Sequence, residues 1–364
     1  MNKHIRNIEE YDLRNFTHEK LKHELMLKFG EIDEKKSLIN FIAFVSQHIL
    51  GWLIIIYFNN IIVSLATSIY MGFNLVGLFI VFHDAGHRTR SKNIKLNDFQ
   101  GDIAAGLVGC GISWVLARES HRKHHLDTGK IKDPTALWLP MTVAEYSNAN
   151  RISQLLYKLK MTNIFFAALE FGSFAKRNIG NSLLDIFPKP KKRREFIRTV
   201  ITGLSISLLE ILLAYKIMGF YGLFFIYILP KFLFLSFGPI LDRLNHANPE
   251  MLFYDNDNWH TDESNMQGTI RVEYHPIINY LINDMNEHSI HHYVPSIPGH
   301  NLRKARLYVE EKYPLLFNKQ KFSWSYLGQI YSQCHLLESE NNPTFISFQE
   351  SQQILIEKDK LAIT

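Results

Sequence analysis

Residues 38–87 read LINFIAFVSQHILGWLIIIYF, then NN, then IIVSLATSIYMGFNLVGLFIVF, then HDAGH. The two apolar runs, Leu38–Phe58 and Ile61–Phe82, are parted only by Asn59 and Asn60. At ~1.5 Å per residue each makes a helix of about 30 Å, enough to cross the hydrocarbon of a bilayer. A second pair, Thr199–Met218 and Tyr221–Ile240, repeats the arrangement around Gly219 and Phe220. The pattern predicts two helical hairpins with very short far-side turns. The expected fold is therefore an all-α integral membrane protein with four transmembrane helices, capped by a mostly helical cytoplasmic domain.

Charge sets the expected orientation. The turns at 59–60 and 219–220 carry no Lys or Arg, whereas the flanking hydrophilic segments carry many, including Lys189, Lys191, Lys192, Arg193 and Arg194. Positive residues stay in the cytoplasm, so both termini and the long central loop are expected there. One domain is then read as a cytoplasmic arm at 1–37, a hairpin at 38–82, a cytoplasmic loop at 83–198, a second hairpin at 199–240 and a cytoplasmic part at 241–364. The basic run before the third span is read as a lipid-headgroup contact and not as a nucleic-acid site. Two weaker apolar stretches, 103–117 and 163–174, are too short to cross and are expected to be buried or interfacial helices. The first 20 residues are charged throughout, so no cleavable signal peptide is expected. Cys110 and Cys334 make no disulfide framework among 364 residues, which suggests reduced surroundings.

Histidine carries the chemistry. Of 17 in the chain, nine fall in four places: His83 and His87 in HDAGH, His121, His124 and His125 in HRKHH, His246 alone, and His288, His291 and His292 in HSIHH. On a helix, residues three or four apart share a face, so each box can aim its imidazoles at one point. The first two boxes follow the second span, and His246 with the third box follow two crossings later, on the same side. Nine imidazoles exceed the needs of one metal ion and imply two ions with four or five nitrogens each. Imidazole suits Zn, Cu, Fe and Ni alike, so ligand type alone does not name the metal. HExxH is absent, which leaves zincin proteolysis unsupported. Neutral nitrogen ligands beside apolar spans favour redox chemistry on a lipid.

At these residues the sequence resembles the membrane fatty-acid desaturases, and most closely the acyl-lipid omega-6 (Δ12-type) desaturases of cyanobacteria and plastids. The resemblance runs from about residue 70 to 350. Beyond the boxes it includes His121–Gly129 (HRKHHLDTG), Asp133 with Trp138 and Pro140, and Asn245–Glu250 (NHANPE). It also includes Gln267–Thr269 (QGT), Asp284–Asn301 (DMNEHSIHHYVPSIPGHN) and Gln333–Leu336 (QCHL). It implies a di-iron centre held by the boxes and His246, with an acyl-lipid or other long-chain acyl substrate, O2, and a separate electron donor such as ferredoxin. No haem-cytochrome HPGG, Rossmann fingerprint or iron–sulfur cysteine cluster accompanies it in this chain.

Three departures stand out. Ala85 replaces a cysteine common in the first box. Ala117 occupies the place, four residues before the second box, where the family usually has tryptophan; Trp114 lies one turn earlier and is a candidate for the acyl channel. Asp242 stands where the animal acyl-CoA branch has an asparagine that holds an iron-bound water, so a water-bridged role is expected of it. Asp84, Asp127, Glu119, Asp284 and Glu287 are candidates to orient the ring nitrogens from behind. His48, His260 and His335 are expected to lie off the site. Two other readings use the same residues: a membrane hydroxylase or ketolase that keeps oxygen in the product, and a metal transporter. A transporter would place its ligands within the spans, whereas these boxes lie at or beyond the span ends. Glu210 and Lys231, both inside spans, are expected at similar depth and are proposed partners.

Overall fold

A computed structural model describes residues 17–109, 113–133, 136–251, 253–255, 257, 259–341 and 343–363, and these are mostly helical. Helix α1 (His18–Phe29) starts at Thr17, whose side chain accepts from the Lys20 N–H, and buries Leu21 and Leu25. Helix α2 (Glu34–Phe58) starts at an Asp33 cap. The two asparagines after it have separate roles. Asn59 takes the left-handed conformation at φ 42° that ends α2, and Asn60 accepts from Ile62 and Val63 to start α3 (Ile61–Gly86). Short polar side chains tolerate and cap such positions, which is how two residues suffice to reverse the chain.

Helix α4 (Ile94–Val108) stops at Gly109, φ 76°, and α5 (Trp114–Asp127) begins after Ser113. The single helix expected over 103–117 is therefore two, because Gly109 takes φ 76°, outside helical geometry and open to glycine; residues 110–112 lie outside the described residues. After strand β1 (Met141–Thr142) come α6 (Val143–Asn148), α7 (Arg151–Thr162) and α8 (Leu169–Ile186). The stretch 163–174 likewise divides, into a one-turn helix at Ile164–Phe166 and the start of α8.

Helix α9 (Pro190–Gly222) is followed by a wide turn of helix, Leu223–Ile228, and by α10 (Leu229–His246). Among the described residues three helical stretches are long and apolar enough to cross a membrane: Glu34–Phe58, Ile61–Gly86 and Pro190–His246. The third is not straight. Gly219 has φ 61° and ψ −145°, outside helical geometry. Lys231 Nζ donates to Glu210 Oε2 at 2.9 Å although 21 residues separate them, a distance of ~31 Å along an unbroken helix. The chain thus folds back at Gly219, and the expected pairing of the two charges is present.

The remainder comprises α11 (Thr261–Gln267), β2 (Ile270–Glu273), α12 (Pro276–Leu281), α13 (His288–Tyr293), α14 (Gly299–Lys312), β3 (Asn318–Lys321), α15 (Trp324–Gln333), β4 (Leu336–Leu337), β5 (Phe345–Ile346) and α16 (Phe348–Ile363). Strand β1 pairs parallel with β4, which pairs antiparallel with β5; β2 pairs parallel with β3. Leu75, Val81, Trp114 and Phe234 pack in one apolar cluster between α3, α5 and α10. Trp138, Met161, Val272 and Leu336 belong to another, which holds the small strands against α7.

Candidate metal centre

The four histidine groups converge from four elements. His83 lies in the last turn of α3 and His87 follows its end; α5 carries His121, His124 and His125. His246 is the last residue of α10, and the six-residue α13 carries His288, His291 and His292. All nine expected residues come together, in two sets. One nitrogen from each of His83, His87, His121, His125 and His291 lies within 4.8 Å of the others. His124, His246 and His292 form a second such group, and Asp242, His246 and His288 a third that shares His246. The donors therefore divide five and four, with Asp242 beside the four.

Proton positions follow from the oxygen partners. His246 Nδ1 donates to the Gly268 carbonyl at 3.1 Å, His124 Nδ1 to Asp133 Oδ2 at 2.8 Å, and His83 Nδ1 to Asp84 Oδ1 at 3.1 Å. A neutral ring has one proton, so each Nε2 presents a bare lone pair. These lone pairs face other nitrogens: His246 Nε2 is 2.6 Å from His288 Nε2, and His83 Nε2 is 2.7 Å from His121 Nε2. The Nε2 atoms of His87 and His292 are buried with no protein partner among the described residues.

Burial, then the neighbouring imidazoles, holds His121, His125, His288, His291 and His292 well below their ordinary value of 6.5. Protons therefore do not relieve the crowding at neutral pH. A cation would, and the neutral imidazole it requires is already the favoured form. The residues fit two metal ions. His124 differs: burial lowers it, but the Asp133 hydrogen bond and charge outweigh burial and raise it.

A cavity of about 360 Å³ adjoins the first set. His83, His87, His121 and His291 form part of its wall, while Val76, Phe79, Phe171 and Phe234 line its apolar part. An apolar chamber beside a cluster of metal donors suits a hydrocarbon chain held against a metal.

Comparison with known proteins agrees. The family model for fatty acid desaturase matches residues 35–321. The chain belongs to the fatty acid desaturase family. It is 28% identical over 278 residues to the sn-1 oleoyl-lipid 12-desaturase of Synechocystis sp., covering 76% of each chain. It is 26% identical over 364 residues to the chloroplastic omega-6 fatty acid desaturase of Arabidopsis thaliana, covering 96% of this chain and 77% of that one. It is thus an oxidoreductase of the membrane, a fatty-acyl desaturase.

Within this desaturase the groups behind the histidines differ from those expected. Of the five acids considered, Asp84 alone is hydrogen-bonded to a box histidine among the described residues. Asp127 pairs with Lys130, Glu119 with Lys192, and Glu287 with Arg306. Asp284 lines the cavity. The expected list omitted Asp133 on His124, and Asn265 Oδ1 and Thr128 Oγ1, each about 3 Å from His292 Nδ1 at 3.1 and 3.2 Å. The matching tracts around Asp133 and the QGT at 267–269 were the available signals, since His246 bonds to Gly268 within the latter.

Trp114 requires correction. It is 1% exposed, its indole N–H donates to Asp102 Oδ1, and the Arg118 guanidinium lies 5.0 Å from its ring. It is absent from the cavity wall, where Ala117 stands instead. A one-turn shift along α5 kept the helical face but drew the ring into the core through its polar N–H. Asp242 has its carboxylate 4.0 Å from His246 Nε2 and stands on the cavity wall. His48 and His335 lie off the site yet are not idle. His48 Nε2 is 2.8 Å from Glu210 Oε1, and His335 stacks on Phe348 at 4.7 Å.

Proposed function

We propose that this desaturase introduces a cis double bond into the acyl chain of a lipid, using O2 and two iron ions held by the nine histidines. The observation that carries the reading is the convergence of nine imidazole nitrogens in sets of five and four. His83, His87, His121, His125 and His291 would hold one ion, and His124, His246, His288 and His292 the other, with Asp242 bridging to the second through water. An unactivated methylene has no acidic hydrogen, so a redox metal is required and iron is the natural choice of the imidazole-binding metals. Bound there, the iron pair would supply the oxidising power that, with O2 and two external electrons, removes two hydrogens from adjacent carbons.

The protein's own part is to hold and to exclude. The oxygen acceptors on His83, His124 and His246 lock each ring with Nε2 inward. The aromatic wall keeps water from the chain and seats it beside the donors. The relatives named for oleoyl-lipid and omega-6 substrates support an acyl-lipid as substrate here.

The reversal at Gly219 supports four crossings, with hairpins at 38–82 and 199–240 joined by cytoplasmic segments 1–37, 83–198 and 241–364. The donor cluster would then lie on the cytoplasmic side. Electrons would come from a separate acidic protein, ferredoxin, which suits a chain of net charge +5. The deciding experiment is expression in a host that makes only monounsaturated acyl chains, with lipid profiling and metal analysis of the purified protein. A new diene and close to two irons per chain are expected, and His246→Ala should abolish the diene while the protein still inserts. A hydroxylated product, or full activity with one iron, would overturn the proposal.

A further inference from the structure

Between Glu273 and Asp284 the chain reads YHPIINYLIN, ten residues without Asp, Glu, Lys or Arg. Helix α12 lies within this stretch and leaves Ile277 and Tyr280 61% and 56% exposed. Ile282, just after it, is buried in the cluster that holds Phe41, Phe44 and Leu75 of the first hairpin.

The partners of α12 lie inside the spans. The Tyr280 ring stacks on that of Phe44 at 6.0 Å, and its hydroxyl accepts from Gln47 Nε2 at 2.8 Å. Gln47 in turn accepts from the Tyr70 hydroxyl. Phe44 and Gln47 stand six and nine residues inside the apolar run that begins at Leu38, or ~9 and ~14 Å along the helix. The second span gives a similar level independently. A Cβ on Gly77 would lie 2.8 Å from the Leu281 carbonyl, and Gly77 is five residues, ~8 Å, short of Phe82, where that run ends. One leaflet contributes ~15 Å of hydrocarbon, so both measures put α12 within the leaflet on the histidine side.

The backbone is equipped for that depth, where polar groups need partners within the protein. The His275 side chain accepts from the Ile277 N–H, and Asn279 Nδ2 donates to the Tyr274 carbonyl. Asn283 and Asp284 turn the chain back at φ 53° and 55°, a left-handed pair that Asn and Asp tolerate. Asn283 is fastened to both spans: its Oδ1 accepts from Asn40 Nδ2 at 2.8 Å, and its Nδ2 donates to the Gly77 carbonyl at 3.4 Å.

We propose that residues 274–283 form a re-entrant segment, with Ile277 and Tyr280 resting against the acyl chains of bilayer lipid. Ile42 and Ile49, at comparable depths on α2, are exposed as well and continue the same apolar surface. A soluble partner would have to enter the bilayer to cover this face, so lipid is its occupant. The part of the chain at 241–364 is thus anchored in the membrane at a point of its own. The third histidine box begins at His288, five residues after Asn283, and takes its height from that anchor.

The test uses the full-length protein in phosphatidylcholine vesicles. With Cys110→Ser and Cys334→Ser as background, spin labels are attached singly after Ile277→Cys, Ile42→Cys and Glu311→Cys. Power saturation then compares collisions with oxygen, which concentrates in lipid, and with a nickel chelate, which stays in water. Position 277 should match position 42, with nickel collisions several-fold fewer than at position 311 on α14. Nickel collisions at 277 equal to those at 311 overturn the inference. Shielding of 277 from both reagents also overturns it, since protein would then cover the face. The unaltered protein supplies a second reading: a phosphatidylcholine with a photoactivatable group midway along one acyl chain should leave adducts on the 274–283 peptide as well as on α2. Adducts on α2 with none on 274–283 overturn the inference. Neither measurement requires metal or turnover, so failure here is separate from failure of the desaturase reading.

Discussion

Removing either charge of the buried Glu210–Lys231 pair should destabilise the protein, and removing both should cost less than the two single losses combined. The two residues are 6% and 8% exposed, and their charged groups are 2.9 Å apart within the apolar stretch that folds back at Gly219. Neither depends on the other alone: Glu210 Oε1 also meets His48 Nε2 at 2.8 Å, and Lys231 Nζ also donates to the Leu107 carbonyl at the end of α4. The network thus ties α2, α4, α9 and α10 together at one depth. Breaking a buried ion pair by losing one partner costs ~3–5 kcal/mol, and the surviving partners place each single change near the lower figure. Glu210→Gln and Lys231→Met should each lower the melting temperature in detergent by on the order of 6 °C or more. The double variant leaves no unpaired charge, so its loss should fall short of the summed single losses by about 2 kcal/mol. Thermal melts followed by size-exclusion recovery would measure all four proteins. Single effects that add to within ~0.5 kcal/mol would refute the coupling and leave the two charges as independent features.

Other outcomes follow from the site. In metal-free protein, His121, His125, His288, His291 and His292 have folded values below the ordinary 6.5, so the unfolded chain binds more protons as pH falls past that point. Stability should therefore decline from about pH 6.5 downwards, with the raised His124 and with Asp242, which burial pushes up to about 7, opposing; a metal-free melting temperature that holds or rises on acidification would contradict this. A Cβ on Gly299 would stand 2.5 Å from Asp84 Oδ2, so Gly299→Ala should push Asp84 off His83. Metal affinity, measured by equilibrium dialysis, should drop about 10–100-fold, and an unchanged affinity would show that Asp84 does not orient the ring. Trp114→Phe should cost ~1–3 kcal/mol by stranding the Asp102 acceptor in the core, with no change in double-bond position. A shifted position would restore Trp114 to the channel.

Much of the architecture was legible because it rests on local chemistry. Apolar length decided the long helices, and Asn59 with Asn60 marked the first reversal through capping and left-handed tolerance. The spacing of histidines in three boxes put each group on one face, so their convergence needed only that the chain return to the same side. Glu210 and Lys231 could be matched in depth by counting from Gly219, since a helix converts residue number to distance. These inferences concern single elements or the turn between two.

What the sequence left open belongs to contacts between elements distant along the chain. The division of nine nitrogens into five and four depends on how α3, α5, α10 and α13 meet, and no spacing within a box contains that. Which acid orients which ring was equally hidden: Asp84 is the neighbour of His83, but Asn265 reaches His292 only because α11 packs beside α13. Trp114 shows the limit most clearly. Helical periodicity put it on the face of the second box, yet the choice between cavity and core was made by the carboxylate of Asp102 on α4, which captures its N–H. Periodicity assigns a face; which neighbour that face meets, and so what each side chain does there, is decided by packing in three dimensions.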